Sequence, residues 1–577
     1  MSQLQKLKDT VTLHDLAELL GFKPKALSYI VFKKTNEVKY SHFEIPKKNG
    51  GVRKISAPCS DLSKLQQRVS QLLQDCIAEI NDSKKINSKL SHGFQRKKSI
   101  MSNADVHKRK RFVLNIDLEN FFGTINFGRV RGFFIKNKNF ELHEKVATIL
   151  AQIICFENSL PQGSPSSPVT SNLIGHILDI HLANLAKKNG CDYSRYADDI
   201  TFSTNKRSFP KSIATLIDNE KFVWQPGDEL HNIIDQAKFK INSLKTRMQY
   251  KDSRQDVTGL VVNKKINTRT EYRRTARAMV HNLITTGSYY LPNSAKDETI
   301  LDTEKIIGTK EHLNGVLGFI HMVSLYKKEK NSLNPFKLDL TTKSYQKFKL
   351  FNDFYSSSTP VIICEGKTDN IYIRSAIQQL ATQYPDLAIK ETGSVKVRLK
   401  HKIYNYTNTT GDLLGLSGGS GDLCNFIRIY KSVCHKFKAV GYTHPIIIIA
   451  DNDKGAKGKN GIYSFLKDAP SGDADGLAPF YNIFKNLYVI LTPIEKGGES
   501  MIEDLFDKST KEIKLGNKTF NPHNGFDSMT QFGKYLFATQ IIKKQQNLIN
   551  FKGFIPILDR VVKILSQHYQ AEPFAKI

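Results

Sequence analysis

The sequence predicts a multidomain chain with an α+β part, then an α/β part, then a helical C-terminal segment. Three observations predict it. At 577 residues the chain exceeds what one hydrophobic core usually organises. Its texture changes at a polar, lysine-rich stretch, KKEKNSLNPFKLDLTTKSYQKFKLFNDFYSSSTP, in which Pro335 and Pro360 act as breakers. Short apolar runs that end in acidic residues occur on both sides of that stretch, as strands with polar groups at their ends do. The boundary is placed within it, giving a first part over 1–330, a linker over 331–358, an α/β part over 359–510 and a helical extension over 511–577.

Composition supports folded domains and points to a polyanionic partner. Hydrophobic residues make up 40% and aromatics 10%, which suits globular cores rather than a disordered polyelectrolyte. The formal charge is +30, and basic clusters recur at Lys84–Lys85, Arg96–Lys98 and His107–Arg111. Such clusters neutralise phosphates without regard to sequence, so nucleic acid is the partner to expect, although charge alone is equally compatible with solvated basic surfaces. The seven cysteines show no C-x-x-C pair and no framework spacing, which supports neither a zinc ribbon nor a disulfide scaffold. The N-terminal MSQLQKLKDTVTLHDLAELLGF reads as a capped amphipathic helix without a signal-peptide core, and no later apolar run is long enough to span a bilayer. A cytoplasmic protein with no membrane partner is expected; oligomeric state is left open, a homo-oligomer included.

In the first part, FVLNIDLENFF places Asp117 directly after an apolar strand, and DYSRYADDITFS places Asp198 and Asp199 at the tip of a hairpin. Two Mg2+ ions need several carboxylate oxygens converging from rigid elements, one ion activating a hydroxyl and the other holding a triphosphate and its leaving group. A lone Asp pair at a turn is weak, because aspartate is a common turn residue. Here the pair is preceded by LPQGSPSSPVTSNL, a Pro/Ser/Gly loop running into a helix, whose small residues let backbone approach a substrate closely.

In order and spacing these elements resemble the reverse transcriptase palm, with Y-A-D-D standing for its Y-x-D-D box. The resemblance implies a right-hand polymerase of fingers, palm and helical thumb, the thumb being the periodic segment from Tyr272 through HLNGVLGFIHMVSLY. IPKKNGGVRKISAP is similar to the fingers hairpin, in which Lys48 and Arg53 would neutralise the incoming deoxynucleoside triphosphate. Phe122, five residues after Asp117, falls where the family keeps an aromatic ring against a ribose 2′-OH, and that register favours a gate over plain core packing. Gln162 would contact the nucleotide, and Lys245 falls near the departing pyrophosphate.

Two further strings narrow the resemblance. NADVH, Asn103 to His107, is similar to the N-A-x-x-H box of retron reverse transcriptases, and Val257-Thr258-Gly259 matches their V-T-G box. The retron resemblance implies binding of a cognate structured RNA through these boxes, cDNA begun at a 2′-OH of that RNA, and a branched RNA–DNA product. For His107 a capping or core histidine is the alternative reading.

The second part alternates strands with segments long enough for crossover helices, which predicts an α/β domain presenting groups at strand C-termini. VIICEGKTD ends a buried strand in Glu365, with Asp369 four residues on, and IIIIADNDKG ends another in Asp451-x-Asp453. Carboxylates on neighbouring strand ends form a divalent-metal site, for Mg2+ or Mn2+. The spacing resembles a toprim domain, most closely that of the overcoming-lysogenisation-defect nucleases, and the resemblance adds Asp369 and Glu503 as metal ligands. LSGGSGD, with Gly418 to Asp422, reads as a backbone nest for phosphate, although Gly-rich loops of this kind are common. Together the resemblances imply a retron polymerase fused to a nuclease that acts on nucleic acid, in a family whose role is defence against phage. The alternatives are an intron-type or diversity-generating enzyme, and a second domain that is primase-like, topoisomerase-like or non-catalytic.

Overall fold

A computed structural model describes residues 2–47, 50–84, 90–218, 220, 222–292, 306–326, 335–390, 397–470, 474–494, 498–523 and 525–571. It forms two compact units, Met1–Arg269 and Thr270–Ile577. The expected N-terminal helix is two short ones, Gln3–Lys8 and Leu13–Leu19, because Thr12 and Asp15 form a capping box that starts a second helix.

The first unit begins with an exposed antiparallel hairpin, β1 (Tyr40–Pro46) and β2 (Val52–Pro58). There follow helices α1 (Ser60–Ser83) and α2 (Ile100–Val106), strand β3 (Phe112–Leu118), and helices α3 (Phe127–Lys136), α4 (Glu144–Ile154) and α5 (Ser167–Lys188). A hairpin of β4 (Asp192–Tyr196) and β5 (Asp199–Thr204) comes next, then helix α6 (Asp228–Gln236) and strand β6 (Ile241–Tyr250). The antiparallel sheet has the order β4-β5-β3-β6, so β3 is central and Val113, Leu114, Ile116 and Leu118 are all buried. Residues of α1, α4 and α5 join the sheet in one core.

The second unit opens with helices α7 (Thr270–Thr286), α8 (Lys310–Leu325) and α9 (Leu340–Leu350). Its five-stranded sheet comprises β7 (Val361–Cys364), β8 (Lys402–Ile403), β9 (Ile446–Ala450), β10 (Tyr481–Phe484) and β11 (Leu487–Leu491), in the order β8-β7-β9-β11-β10. The first four are mutually parallel and β10 is an antiparallel edge. Alternate residues feed two cores: Ile363, Ile448 and Val489 face one, Ile362, Ile449 and Ile490 the other. Helices α10 (Asp369–Gln379) and α12 (Ile555–Ala571) lie on the second face, whereas α11 (Ser420–Cys434) lies on the first.

The division at 269/270 falls about sixty residues before the boundary expected at 330. The cause is packing: Met279 and Leu283 of α7, Leu313 and Leu317 of α8, and Phe348 of α9 share a core with Val361 and Ile448. The stretch read as a linker over 331–358 is likewise structural where it is described, since Tyr345, Phe348, Phe351 and Phe354 recur at helical spacing and are buried. Residues 331–334 lie outside the described residues. The extension over 511–577 is mainly helical but includes a short parallel pair, Thr519–Phe520 with Gln531–Phe532. No helix among the described residues is long and apolar enough to cross a membrane, and all seven cysteines are free.

Candidate active sites

Strand pairing brings the three aspartates of the first unit together. Asp117 and Asp199 are direct cross-strand partners, and Asp198 stays beside them because the Leu118 N–H donates to its carbonyl at 3.0 Å. The β3–β6 register shifts between Asn115 and Asp117, which pair with Arg247 and Asn242, so residues 243–246 bulge out of β6. That bulge carries Lys245 to Asp117, Nζ to Oδ1 at 2.9 Å. Burial raises the Asp198 carboxyl, with Asp117 adding to the effect, and Arg53 and Lys245 oppose it. Asp199 is pushed up to about 6 by burial, then by Asp198 and Asp117.

Such a set of oxygen donors, short of positive charge, is the chemistry a hard divalent cation satisfies. Among the described residues no three acidic, histidine or cysteine side chains already converge as a metal cage. In this site the Lys245 ammonium stands on the carboxylate that a metal would share.

Arg53 is on β2, exposed; Lys48 lies outside the described residues. The Gln162 carbonyl accepts from Ser56 N–H at 2.8 Å, tying the PQGSP loop to β2. Gly163 permits that approach: it has φ +122°, and a Cβ there would meet the Ser56 carbonyl oxygen at 2.7 Å. Phe122 is half-buried, its ring centroid 5.6 Å from Phe121 and 6.2 Å from Phe94.

In the N-A-x-x-H box, Asn103 and His107 are fully buried against the β4–β5 hairpin. His107 bridges Ser203 and Ser194 at 2.7 Å each, and Ser194 donates to Asn103 at 2.7 Å. Burial, with Lys110 adding to it, holds the imidazole down at about 3, so it is neutral. The V-T-G box is the turn of a two-strand ribbon, with Thr258 at φ +46° and Gly259 at +79°. Val257 is buried, and Thr258 Oγ1 donates to the Ile100 carbonyl at the start of α2, so the two boxes brace one another.

Sequence reasoning missed the residues that hold the Y-A-D-D turn. Arg195 and Asp179 are both fully buried and form a bidentate pair, with Nε–Oδ1 at 2.7 Å and Nη2–Oδ2 at 2.8 Å. Arg195 Nη1 also donates to the carbonyl of Ala197 at 2.9 Å, fixing a residue at φ +58°. An arginine next to a strand tyrosine carries no pattern signal, because its partner lies on α5. Asp179→Asn is expected to cost about 3–5 kcal/mol in denaturant unfolding, since it strands a buried cation. The double change Asp179→Leu with Arg195→Met should recover most of that stability without recovering polymerisation.

In the second unit Glu365 and Asp451 follow the adjacent parallel strands β7 and β9, and Glu365 Oε2 accepts from Asp451 N–H at 3.2 Å. Asp369, at the start of α10, accepts from Gly366 N–H at 2.7 Å, and Asp451 accepts from Ile502 N–H at 2.8 Å. Glu503 is 1% exposed, in a single 3-10 turn. Asp453 turns away to cap Ala456 N–H at 2.9 Å.

Burial, then Asp369 and Asp453, pushes Glu365 up to about 7; burial, then Asp369 and Glu365, pushes Asp451 up to about 8. Lys534, which the sequence did not single out, places its ammonium 2.9 Å from Glu503. Burial alone would lower Lys534, but Glu503, Asp451 and Asp369 together raise it. The donors are again hard oxygens around one cation. The Gly-rich loop is not an open nest: Ser417 and Gly418 N–H groups are spent on Asp422 Oδ2, and Gly419 N–H on the Glu365 carbonyl.

With this geometry in place, the comparisons with known proteins resolve the class. The family model "Reverse transcriptase (RNA-dependent DNA polymerase)" matches residues 45–286. The Retron Ec86 reverse transcriptase of Escherichia coli is 32% identical over 274 residues, covering 47% of this chain and 78% of that protein. The Retron Mx65 reverse transcriptase of Myxococcus xanthus is 31% identical over 339 residues, 55% of this chain and 70% of that protein. Among solved structures, telomerase from Candida albicans with a fragment of telomeric RNA aligns over 54% of this chain and 60% of that chain. Its identity of 11% and TM-score of 0.30 make that likeness too loose to carry an argument. The first unit is thus that of a reverse transcriptase, an RNA-directed DNA polymerase of a class that generally uses a divalent metal in the palm. Within that class, the chain belongs to the retron reverse transcriptase family.

Proposed function

We propose that the protein makes a branched RNA–DNA molecule from a cognate structured RNA, and that a second, toprim-like nuclease in the same chain acts in antiphage defence. The observation that carries the polymerase half is the cross-strand pairing of Asp117 with Asp199, with Asp198 held beside them. Those three residues would hold the palm metal, Mg2+. When bound, it supplies activation of the attacking hydroxyl and charge neutralisation at the phosphates. Arg53, with Lys48, binds the triphosphate of a deoxynucleotide; Gln162 lines its site; Lys245, released from Asp117, faces the leaving pyrophosphate. Asn103, His107 and the Val257-Thr258-Gly259 turn act on RNA indirectly, by fixing the back of the hairpin.

For the second half, support comes from Glu365 and Asp451 at the ends of adjacent parallel strands, with the carboxyls of Asp369, Asp453 and Glu503 acting on one or both of them electrostatically. They would hold Mg2+ or Mn2+ for cleavage of a nucleic-acid substrate. In this reading residues 1–330 supply polymerisation and 359–510 supply cleavage, although helices α7 and α8 pack with the latter.

The reading is tested by incubating purified protein with a transcript of its neighbouring RNA and deoxynucleotides, without primer. DNA that stays joined to RNA after heating, and is freed by a 2′–5′ debranching enzyme, is expected; products that need an added primer refute it. Phe122→Val should raise ribonucleotide incorporation about 10- to 100-fold in single-nucleotide assays by removing the ring from the 2′-OH. Unchanged discrimination would assign that ring to packing alone.

A further inference from the structure

A groove in the helical layer of the first unit has a volume of 660 Å³ and is walled by α3, α5 and the end of α6. Its floor is apolar, formed by Phe133, Ile174, Leu178 and Phe239, and Ile177 is 48% exposed. Exposed Lys84, Lys136, Lys138 and Lys238 line it as well, and no aspartate or glutamate does among the described residues.

Arg129 adds a fifth cation to the wall: its guanidinium lies 4.5 Å above the Phe239 ring. Its hydrogen bonds go to the carbonyls of Thr124, Ala237 and Lys238, not to a carboxylate. Burial alone lowers its pKa, with no acid opposing the shift. A partly desolvated cation backed by lysines is an electrostatic deficit that a polyanion would fill.

We propose that this groove binds an unpaired segment of RNA, with bases against Phe133 and Ile177 and phosphates on the lysines. Duplex would not fit this chemistry, because stacked, paired bases cannot reach an apolar floor, whereas single strands splay theirs onto such surfaces. RNA is favoured over DNA because an RNA-directed polymerase must hold RNA before any DNA exists. The inference needs the family membership and not the branched product.

The test uses full-length protein with its cleft pre-filled by saturating template–primer, and measures binding of a 12-residue oligouridine carrying 4-thiouridine. Lys136→Glu/Lys138→Glu/Lys238→Glu should weaken binding about tenfold or more. It should also flatten the slope of log K against log salt by about 2, the share of three phosphate contacts on a single strand. Crosslinks should map to peptides containing Phe133 or Ile177, and extension of the pre-formed template–primer should persist, showing intact folding. An equal loss in Lys187→Glu/Lys211→Glu/Lys251→Glu, which moves three exposed lysines elsewhere, would overturn the proposal. So would unchanged binding, crosslinks confined to other segments, or oligothymidine bound as tightly as oligouridine.

Discussion

Asp199→Asn and Asp198→Asn are each expected to lower cDNA synthesis roughly a thousandfold or more while leaving RNA binding within a few-fold of wild type. The amide keeps the volume of the carboxylate but loses the oxyanion that a metal requires, and a metal's charge stabilisation is worth several kcal/mol in such a transition state. Folding should survive, and even gain slightly. Burial and two neighbouring acids already push Asp199 up to about 6, so a neutral side chain relieves repulsion in the metal-free protein. Primer extension beside a thermal melt checks both halves. Undiminished extension in the two variants would remove the aspartates from the active site.

Glu365→Gln and Asp451→Asn should abolish metal-dependent cleavage and leave cDNA synthesis intact. Burial and the neighbouring acids push these carboxyls up from their ordinary values of 4.5 and 3.8 to about 7 and about 8. Between the ordinary and the raised values the folded chain holds more protons than the unfolded one, so metal-free stability is full in acid and declines as pH rises from about 4 to about 8. Mg2+ or Mn2+ at pH 8 should restore the lost stability. Glu365→Gln should flatten the decline and blunt the metal's effect. Melting temperatures across pH, with and without metal, measure this, and a wild-type protein that ignores both pH and metal would contradict the site.

The placement of the candidate acids at strand ends was legible in the sequence because the apolar runs beside them are local in the chain. Asp117 lies at the end of one such run, Asp199 opens the strand that follows its turn, and Glu365 and Asp451 directly follow theirs. What was not legible depends on contacts distant in the chain. Arg195 finds Asp179 across a helix–sheet interface, and Lys534 finds Glu503 31 residues upstream. Neither pairing leaves a periodicity to read. The compact units divide at 269/270 and not at 330 for a related reason: lysines and serines at 340–358 mask an aromatic stripe, Tyr345 through Phe354, that the structure buries. His107 shows the converse, a motif residue read for RNA contact that instead completes a buried chain of hydroxyls.

Two separate acidic sites in one chain are the core of this account, and the crosswise assay of Asp199→Asn against Glu365→Gln tests it most directly. Both activities are measured in both full-length variants: cDNA yield from the cognate RNA and Mn2+-dependent cleavage of nucleic acid. Asp199→Asn is expected to lose synthesis and Glu365→Gln to lose cleavage, each retaining the chemistry of the other site. Loss of cDNA in Glu365→Gln, with an unchanged thermal melt, would show instead that the two sets of carboxylates serve one reaction.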